Sequence, residues 1–168
     1  MCLRLVGSEM CIRDSNMSVQ NSHDAGFTVA EMKIALHTAG ELKNIYELTE
    51  IKAGGYTATD FKNDVNMTIQ NSHDAGFTAT EMRAASYTVS ELYGDTLYTL
   101  PEIRDGGYTA AQFFANSDLD VEDSHDAGFT AAEMKAALHT VSELKDYYTI
   151  NEIYGASFSF AEMQPHYT

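Results

Sequence analysis

The sequence contains few cysteine or proline residues and no tryptophan. Of its 168 residues two are cysteine, two are proline and none is tryptophan. Cys2 and Cys11 both lie in a short N-terminal stretch outside the pattern of the rest, and they support neither a disulfide nor a metal site. No apolar run approaches the roughly 20 residues that a membrane-spanning helix needs. We therefore expect no membrane insertion, and nothing else in the sequence indicates a cellular destination.

Positive charge is also scarce. Ten lysines and arginines stand against 25 aspartates and glutamates, which gives a formal net charge of −15. Nucleic acids and anionic membrane surfaces need a basic footprint, so the sequence argues against both as partners. Apolar residues make up 44% of the chain and aromatic residues 11%, which indicates a folded protein. The charge suits weak binding of divalent cations, contact with a basic protein, or simple solubility.

What the chain does contain is a short repeat, seen first in Gly26-Phe27-Thr28-Val29-Ala30-Glu31-Met32-Lys33. Thr28 and Glu31 have the spacing of a capping box, in which each side chain bonds the exposed backbone N–H of the other. Phe27 and Met32 have the spacing of a hydrophobic staple. Gly26 can end the preceding helix in the left-handed conformation. Each unit therefore predicts one short capped helix.

This register continues along the chain at intervals of about ten residues. Nearly every staple position is followed by Thr or Ser, with Glu47 and Asp120 as the departures. The staple positions are Met17, Phe27, His37, Tyr46, Tyr56, Met67, Phe77, Tyr87, Tyr98, Tyr108, Leu119, Phe129, His139, Tyr148, Phe158 and Tyr167.

A longer period lies above the first, since the fourth helical positions repeat a pattern of Ser, Met, Leu, Ile and Phe or Met. The pattern divides the chain into three blocks of five units, about 17–66, 67–118 and 119–168. Duplication of a five-unit segment explains the blocks. Alternatively, five units complete an integral number of superhelical turns. The positions are Ser22, Met32, Leu42, Ile51, Phe61, Ser72, Met82, Leu92, Ile103, Phe113, Ser124, Met134, Leu144, Ile153 and Met163.

Each unit leaves room for a helix of about seven residues, and isolated helices shorter than about 12–15 residues are marginal in water. Neighbouring units must therefore pack and share a narrow core. A β-solenoid competes, because Thr, Tyr and Gly also suit stacked strands. The Glu-Met-Lys and Glu-Leu-Lys runs and the lack of apolar alternation favour helices. We expect an all-α solenoid of short capped helices over residues 15–168.

The repeat Gly-Tyr/Phe-Thr-x-x-Glu-Leu/Met-Lys resembles arrays in predicted proteins of marine microbes and viruses, over residues 17–168. The resemblance implies this architecture and no activity. Residues 1–14 have no register, and Val6 to Asp14 resembles translated sequencing-adaptor DNA, so we expect a non-native or disordered leader there. The chain stops at Tyr167-Thr168, a staple residue and a cap, and we expect it to be a fragment of a longer array.

A Ser-His-Asp run appears once in each block. A hydrolytic triad needs three side chains that converge, whereas consecutive helix residues point in different directions. Each histidine also shares its register with the basic residues, such as Lys33, Lys43 and Arg83, which favours a solvated, mildly basic face. Stacked His and Asp could instead bind a metal ion if two or more ligands met. The metal candidates are His23, Asp24, His73, Asp74, His125 and Asp126.

Ser22, Ser72 and Ser124 replace an apolar residue at the fourth helical position, which predicts a packing notch, a superhelical bend or part of a groove. His37 and His139 take staple positions, where we expect partly buried packing residues. The column of glutamates three residues after the caps could suggest a calcium ladder, yet capping already explains it.

The sequence contains no phosphate loop, zinc spacing or nucleophile elbow. We therefore expect no enzymatic activity and no cofactor. The favoured hypothesis is a structural or protein-interaction scaffold whose exposed tyrosines and charged columns contact a protein partner. The alternative hypothesis is an extracellular or virion-surface adhesive or fibre segment that binds divalent cations.

Overall fold

The computed structural model describes residues 17–94, 97–116 and 118–167, so the predicted leader at 1–14 lies outside the described residues. In these ranges the chain forms fifteen short α-helices and no strand. They are α1 Val19–Asp24, α2 Val29–Ile34, α3 Ala39–Leu42, α4 Leu48–Ala53, α5 Ala58–Asn63, α6 Ile69–Asp74, α7 Ala79–Ala84, α8 Val89–Gly94, α9 Leu100–Asp105, α10 Ala110–Phe114, α11 Val121–Asp126, α12 Ala131–Ala136, α13 Val141–Leu144, α14 Ile150–Gly155 and α15 Phe160–Met163; a 3₁₀ turn, Gln164–His166, follows.

The helices begin at the predicted caps. The Thr28 N–H donates to Glu31 Oε2 at 2.7 Å, and the Glu31 N–H donates back to Thr28 Oγ1 at 3.3 Å. Asp120, a departure from the Thr/Ser rule, forms the same reciprocal pair with Asp123 at 3.0 Å in both directions. The capping-box prediction is confirmed, although the helices span four to six residues instead of about seven.

The predicted glycine at the end of a helix is also confirmed. Gly26 has φ +80°, its N–H donates to His23 O at 2.8 Å, and the Phe27 N–H donates to Ser22 O at 3.0 Å, which together form a Schellman motif. Four units place a residue with a Cβ in the same left-handed conformation, which costs free energy that glycine avoids. These residues are Leu36, Ser86, Leu138 and Ser157.

The core runs along the fourth helical positions and the staple residues. Every fourth helical position is buried, including Ser22, Ser72 and Ser124, each at most 1% exposed. Most staple residues are buried beside them, as at Phe77 and Phe129. The serines therefore thin the core once in each block, as the sequence predicts.

The chain divides into two compact units, which meet between Ser86 and Tyr87 in the sequence. In the first unit α3 packs against α5, α4 against α6, and α5 against α7. In the second unit α9 packs against α11, α10 against α12, and α12 against α14. Within each unit a helix therefore contacts the helix two positions along the chain. This confirms the prediction of short helices that stabilise one another by packing.

Small residues permit the close approach of these helices. Gly54, at the end of α4, lies so near Val29, the first residue of α2, that a Cβ at Gly54 would fall 2.3 Å from Val29 Cγ1. The end of one helix thus covers the start of the helix two positions before it.

Candidate functional site

The histidines of the Ser-His-Asp runs belong to a column of basic residues at the fifth helical position. We name it the cross-helix column; it comprises His23, Lys33, Lys43, Lys52, Lys62, His73, Arg83, Arg104, His125, Lys135 and Lys145. The sequence favours a solvated face for it, and the side chains of Lys33 and Lys52 are 36% and 27% exposed; they also make specific contacts with other helices. Lys52 Nζ donates to Gly76 O at 2.7 Å, pairs with Glu81 Oε2 at 2.9 Å, and lies 4.5 Å from the centre of the Phe77 ring.

The same three kinds of contact recur at Lys33. Its Nζ donates to Gly55 O at 2.5 Å and to Asp60 Oδ2 at 2.8 Å, and lies 4.9 Å from the centre of the Tyr56 ring. In each case the carbonyl belongs to the left-handed residue that ends the helix two positions along. Lys62 and Lys135 make the corresponding bonds to Ser86 O at 2.7 Å and to Ser157 O at 2.6 Å.

These lysines are therefore structural. Each one donates to a carbonyl at a helix end, where a cation is favoured by the helix dipole. Lys33, Lys52 and Lys135 also lie over an aromatic ring. The acceptor lies 22 to 24 residues further along the chain. The column therefore joins helices two positions apart.

Tyrosines make the complementary bond in the opposite direction. The Tyr56 hydroxyl donates to His37 O at 2.6 Å, and the Tyr148 hydroxyl donates to Phe129 O at 2.7 Å, each 19 residues back. Burial, followed by the charges of Glu133 and Glu152, raises the pKa of Tyr148 to about 12.

Most tyrosines at the staple positions are buried, as the hydrophobic-staple pattern predicts. Burial of the ring is favourable, and the hydroxyls of Tyr56, Tyr108 and Tyr148 each donate to a backbone carbonyl of an earlier helix end. The buried set is Tyr56, Tyr87, Tyr98, Tyr108 and Tyr148. Exposed tyrosines lie off the staple positions or at the C-terminal end; they are Tyr147, Tyr154 and Tyr167.

The Ser-His-Asp runs do not form a triad. Ser22 is fully buried in the core, whereas the side chain of His23 is 44% exposed and its Nδ1 lies 3.5 Å from Asp24 Oδ1. The serine side chain thus enters the core, whereas the histidine next to it lies at the surface. The His23 ring meets the Tyr46 ring edge-on, with 5.0 Å between centroids, so histidine takes the position that lysine occupies elsewhere.

The metal candidates also remain pairs. His73 lies 3.6 Å from Asp74, and His125 lies 3.3 Å from Asp126, measured between Nδ1 and Oδ1. Within the described ranges no group of three or more His, Cys, Asp or Glu side chains could hold a metal ion. Each histidine instead contacts its own aspartate and, at His125, the ring of Tyr148 at 5.1 Å.

The two staple histidines are packing residues. His139 is 5% exposed, its ring centre lies 4.6 Å from that of Phe114, and its Nδ1 lies 3.8 Å from Glu143 Oε2. His37 lies 3.4 Å from Glu41 in the same way, with its side chain 17% exposed. This confirms the predicted role.

The glutamate column is used in capping. The Thr130 N–H donates to Glu133 at 2.8 Å, and this backbone bond lowers the pKa of the Glu133 carboxyl despite partial desolvation. The Thr140 N–H lowers the pKa of Glu143 in the same way, at 2.7 Å. In their ionised form these carboxylates accept hydrogen bonds from the N-cap N–H groups.

The pattern of single repeat units does not predict one feature, an open groove of about 490 Å³ lined by residues of α14 and α15. We name it the end groove; Ile150, Tyr154, Phe160, Met163 and Tyr167 line it, with two amide side chains at its edge. The available signal was the size of Ile150 and Phe160 at the first helical position, where Ala or Val is common in the other units.

No protein-family model, curated protein or solved structure matches the chain. Among the described residues no helix is long and apolar enough to cross a membrane.

Proposed function

We propose that the chain is a non-catalytic structural or protein-interaction scaffold built as an all-α solenoid of three five-unit blocks. The observation that supports it best is the two-position packing rule. The lysines donate to backbone carbonyls 22 to 24 residues later in the chain. The tyrosine hydroxyls donate to backbone carbonyls 19 to 21 residues earlier. A repeated bond at one fixed offset is what a solenoid with two short helices per turn requires.

The packing rule also bears on the five-unit period. With two units per turn, five units make a half-integral number of turns. Like residues of successive blocks, such as Ser22 and Ser72, then fall on opposite sides of the solenoid. This favours duplication over an integral superhelical period as the origin of the blocks.

The site chemistry supports a non-catalytic role. The serines of the three Ser-His-Asp runs are buried in the core, and each His–Asp pair lies about half exposed on the surface of its helix. Cross-helix lysines and staple tyrosines are used to join turns. The surface left for a partner is the acidic one, which suits a basic protein.

A second candidate function rests on that same acidic surface. The chain has 25 acidic and 10 basic residues, and this excess of negative charge favours weak binding of divalent cations by an adhesive or fibre segment. In the described ranges the capping carboxylates are already bonded to backbone N–H groups, so such binding would be weak.

Small-angle X-ray scattering of the whole chain tests the scaffold architecture. If the proposed solenoid were continuous, about eight turns stacked at about 8–10 Å would give a length of roughly 60–80 Å. A compact domain of this size would instead have a radius of gyration of about 15 Å. We expect a clearly larger value, and a value near the compact one would contradict the solenoid.

Thermal melts by circular dichroism with calcium and with a chelator separate the two functions. A ligand that binds the folded state raises the melting temperature. The scaffold hypothesis predicts the same helical spectrum and midpoint in both samples. A midpoint raised by calcium supports the cation-binding alternative.

A further inference from the structure

Two lysines of the cross-helix column are held by the same three groups. Lys52 Nζ donates to Gly76 O at 2.7 Å and to Glu81 Oε2 at 2.9 Å. It also lies 4.5 Å from the centre of the Phe77 ring. The carbonyl belongs to a left-handed residue, the ring follows it by one residue, and the carboxylate follows it by five. Lys33 contacts a carbonyl, a ring and a carboxylate at the same spacing, so the three groups form a cage for an ammonium group.

The same sequence of groups follows α12, but no lysine faces it. Leu138 has the left-handed conformation, with φ +71°, and Glu143 follows it by five residues. The residue at the fifth helical position of α10 is Phe114. Its ring meets the ring of His139 edge-on, with 4.6 Å between centroids. An aromatic ring therefore takes the position of the lysine side chain.

Phe114 cannot replace the lysine bond. Lys62, at the same position one block earlier, donates to Ser86 O at 2.7 Å. Phenylalanine has no N–H to donate, so in the described ranges the Leu138 carbonyl lacks the corresponding bond. A carbonyl at a helix end carries the negative end of the helix dipole and attracts a cation.

Glu143 can bind a cation while it caps its helix. Its Oε2 accepts the Thr140 N–H at 2.7 Å and the Thr140 hydroxyl at 2.8 Å, and its side chain is 46% exposed. Glu81 Oε2 accepts the same two bonds from Thr78 and pairs with Lys52 at the same time. Capping therefore leaves the carboxylate able to pair with an ammonium group.

Two large apolar side chains beside these acceptors lie open to solvent. Phe114 is 57% exposed and Leu138 is 87% exposed, whereas His139 is 5% exposed. A partner thus reaches the apolar side chains, the carbonyl and the carboxylate, and not the imidazole. Lysine matches this surface, because it has an apolar stem and a charged end, and its ammonium group is attracted to an aromatic face. We name the surface the Leu138 cage; it comprises Phe114, Leu138 and Glu143.

We propose that the Leu138 cage binds a lysine of a basic protein partner. This inference rests on the proposed scaffold function and names its point of contact. The ammonium group donates to Leu138 O and pairs with Glu143, as Lys52 does in its own cage, and the lysine stem packs on Phe114. The net charge of −15 favours a basic partner.

Peptide titrations of the whole isotope-labelled chain, followed by two-dimensional NMR, test the inference. The probes are acetyl-Ala-Leu-Lys-Leu-Ala-amide and the same peptide with an acetylated, uncharged lysine. At millimolar concentration the lysine peptide should shift the amide signals of Leu138, His139 and Glu143. The acetylated peptide should bind at least about threefold more weakly, which is the contribution of a typical exposed ion pair.

Glu143→Gln removes the charge of the cage and keeps the cap, since Gln112 caps α10 in the same way. It should weaken binding of the lysine peptide at least about threefold. Glu81→Gln is the matched control, because it makes the same change in a cage that Lys52 already fills. This control should bind the peptide like the wild type.

Phe114→Lys gives the cage a lysine of the chain itself. It should prevent binding of the peptide at the Leu138 cage. Ile34→Lys, the same change at a residue of α2 that is 60% exposed, is its control and should still bind the peptide.

Four results would overturn the inference. The lysine peptide might shift no signals at the Leu138 cage, or the acetylated peptide might bind equally well. The two glutamine variants might weaken binding equally, or Phe114→Lys might bind like Ile34→Lys, and either result would assign the effect to net charge. Circular dichroism and X-ray scattering of the same samples keep the two proposals separate. A helical, elongated chain that does not bind at the Leu138 cage refutes this inference and leaves the scaffold architecture intact.

Discussion

Helices with lysine in the cross-helix column differ from those with histidine there. In α4, a lysine helix, Ile51 fills the core and Lys52 joins a carbonyl, a carboxylate and a ring. In α1, a histidine helix, Ser22 occupies the core position and His23 meets one ring edge-on and its own neighbour Asp24. Similar short helical backbones thus carry a large apolar residue or a small serine at the buried position. We therefore expect stability to be uneven along the chain, with one weaker helix in each block.

The largest effect is expected from replacing Met82 by Ser. This change gives α7 the buried serine that the histidine helices have at the same position. Met82 is fully buried, and its loss leaves a cavity. We expect the free energy of unfolding to fall by about 3 kcal/mol, the usual cost of truncating a buried methionine. Urea denaturation followed by circular dichroism measures it, and a loss below about 1 kcal/mol would show that the core position is not decisive.

Ser22→Ala is the matched control in the other class of helix. The Ser22 hydroxyl is buried and has no hydrogen-bond partner in the described part of the chain. Removing an unpaired buried hydroxyl is neutral or slightly stabilising. The same urea experiment should therefore show no loss of stability for this variant.

Helices of both classes begin at a side-chain cap. Removing one cap measures how much it contributes to the free energy of unfolding. In α7, Thr78 and Glu81 form the reciprocal cap at 2.8 and 3.3 Å. Replacing both by Ala should lower the free energy of unfolding by about 1–2 kcal/mol. Thermal and urea melts measure the change; an unchanged stability would mean that the capping boxes do not stabilise the short helices.

Local spacing explains how much the sequence could predict. Thr78 and Glu81 lie one helical turn apart, so their bond follows from helix geometry alone, and the burial of Met82 follows from the staple. The bonding partners of Lys52 cannot be predicted from local spacing. Their separation from Lys52 along the chain depends on which helices pack against each other. The end groove at Phe160 was missed for the same reason, since it exists only where a covering helix is absent among the described residues.

Lysine itself can be removed from the column while the core is kept. In Lys52→Met the side chain still packs on Phe77 but loses its bonds to Gly76 O and Glu81. Because these contacts are partly exposed, we expect a loss of about 1 kcal/mol. Arg83→Met, the same loss of charge at an exposed residue of the column, should cost less. Equal losses in the two urea titrations would mean that net charge, and not the cross-helix bonds, is responsible.

The smallest effect concerns the turns between helices and has the opposite sign. Leu138 holds φ +71° and is 87% exposed, so its side chain strains the turn without packing in the core. Leu138→Gly relieves the left-handed strain, although the unfolded chain gains freedom, and the net result should be a stabilisation of about 0.5 kcal/mol. Ala136→Gly, two residues earlier in α12, should instead lose about 1 kcal/mol, because there glycine only weakens a helix. Urea titration of the pair compares them directly. If both variants lose stability, the Leu138 side chain contributes packing energy despite its exposure. If Leu138→Gly gains stability while Ala136→Gly loses it, the strain lies in the turn at Leu138.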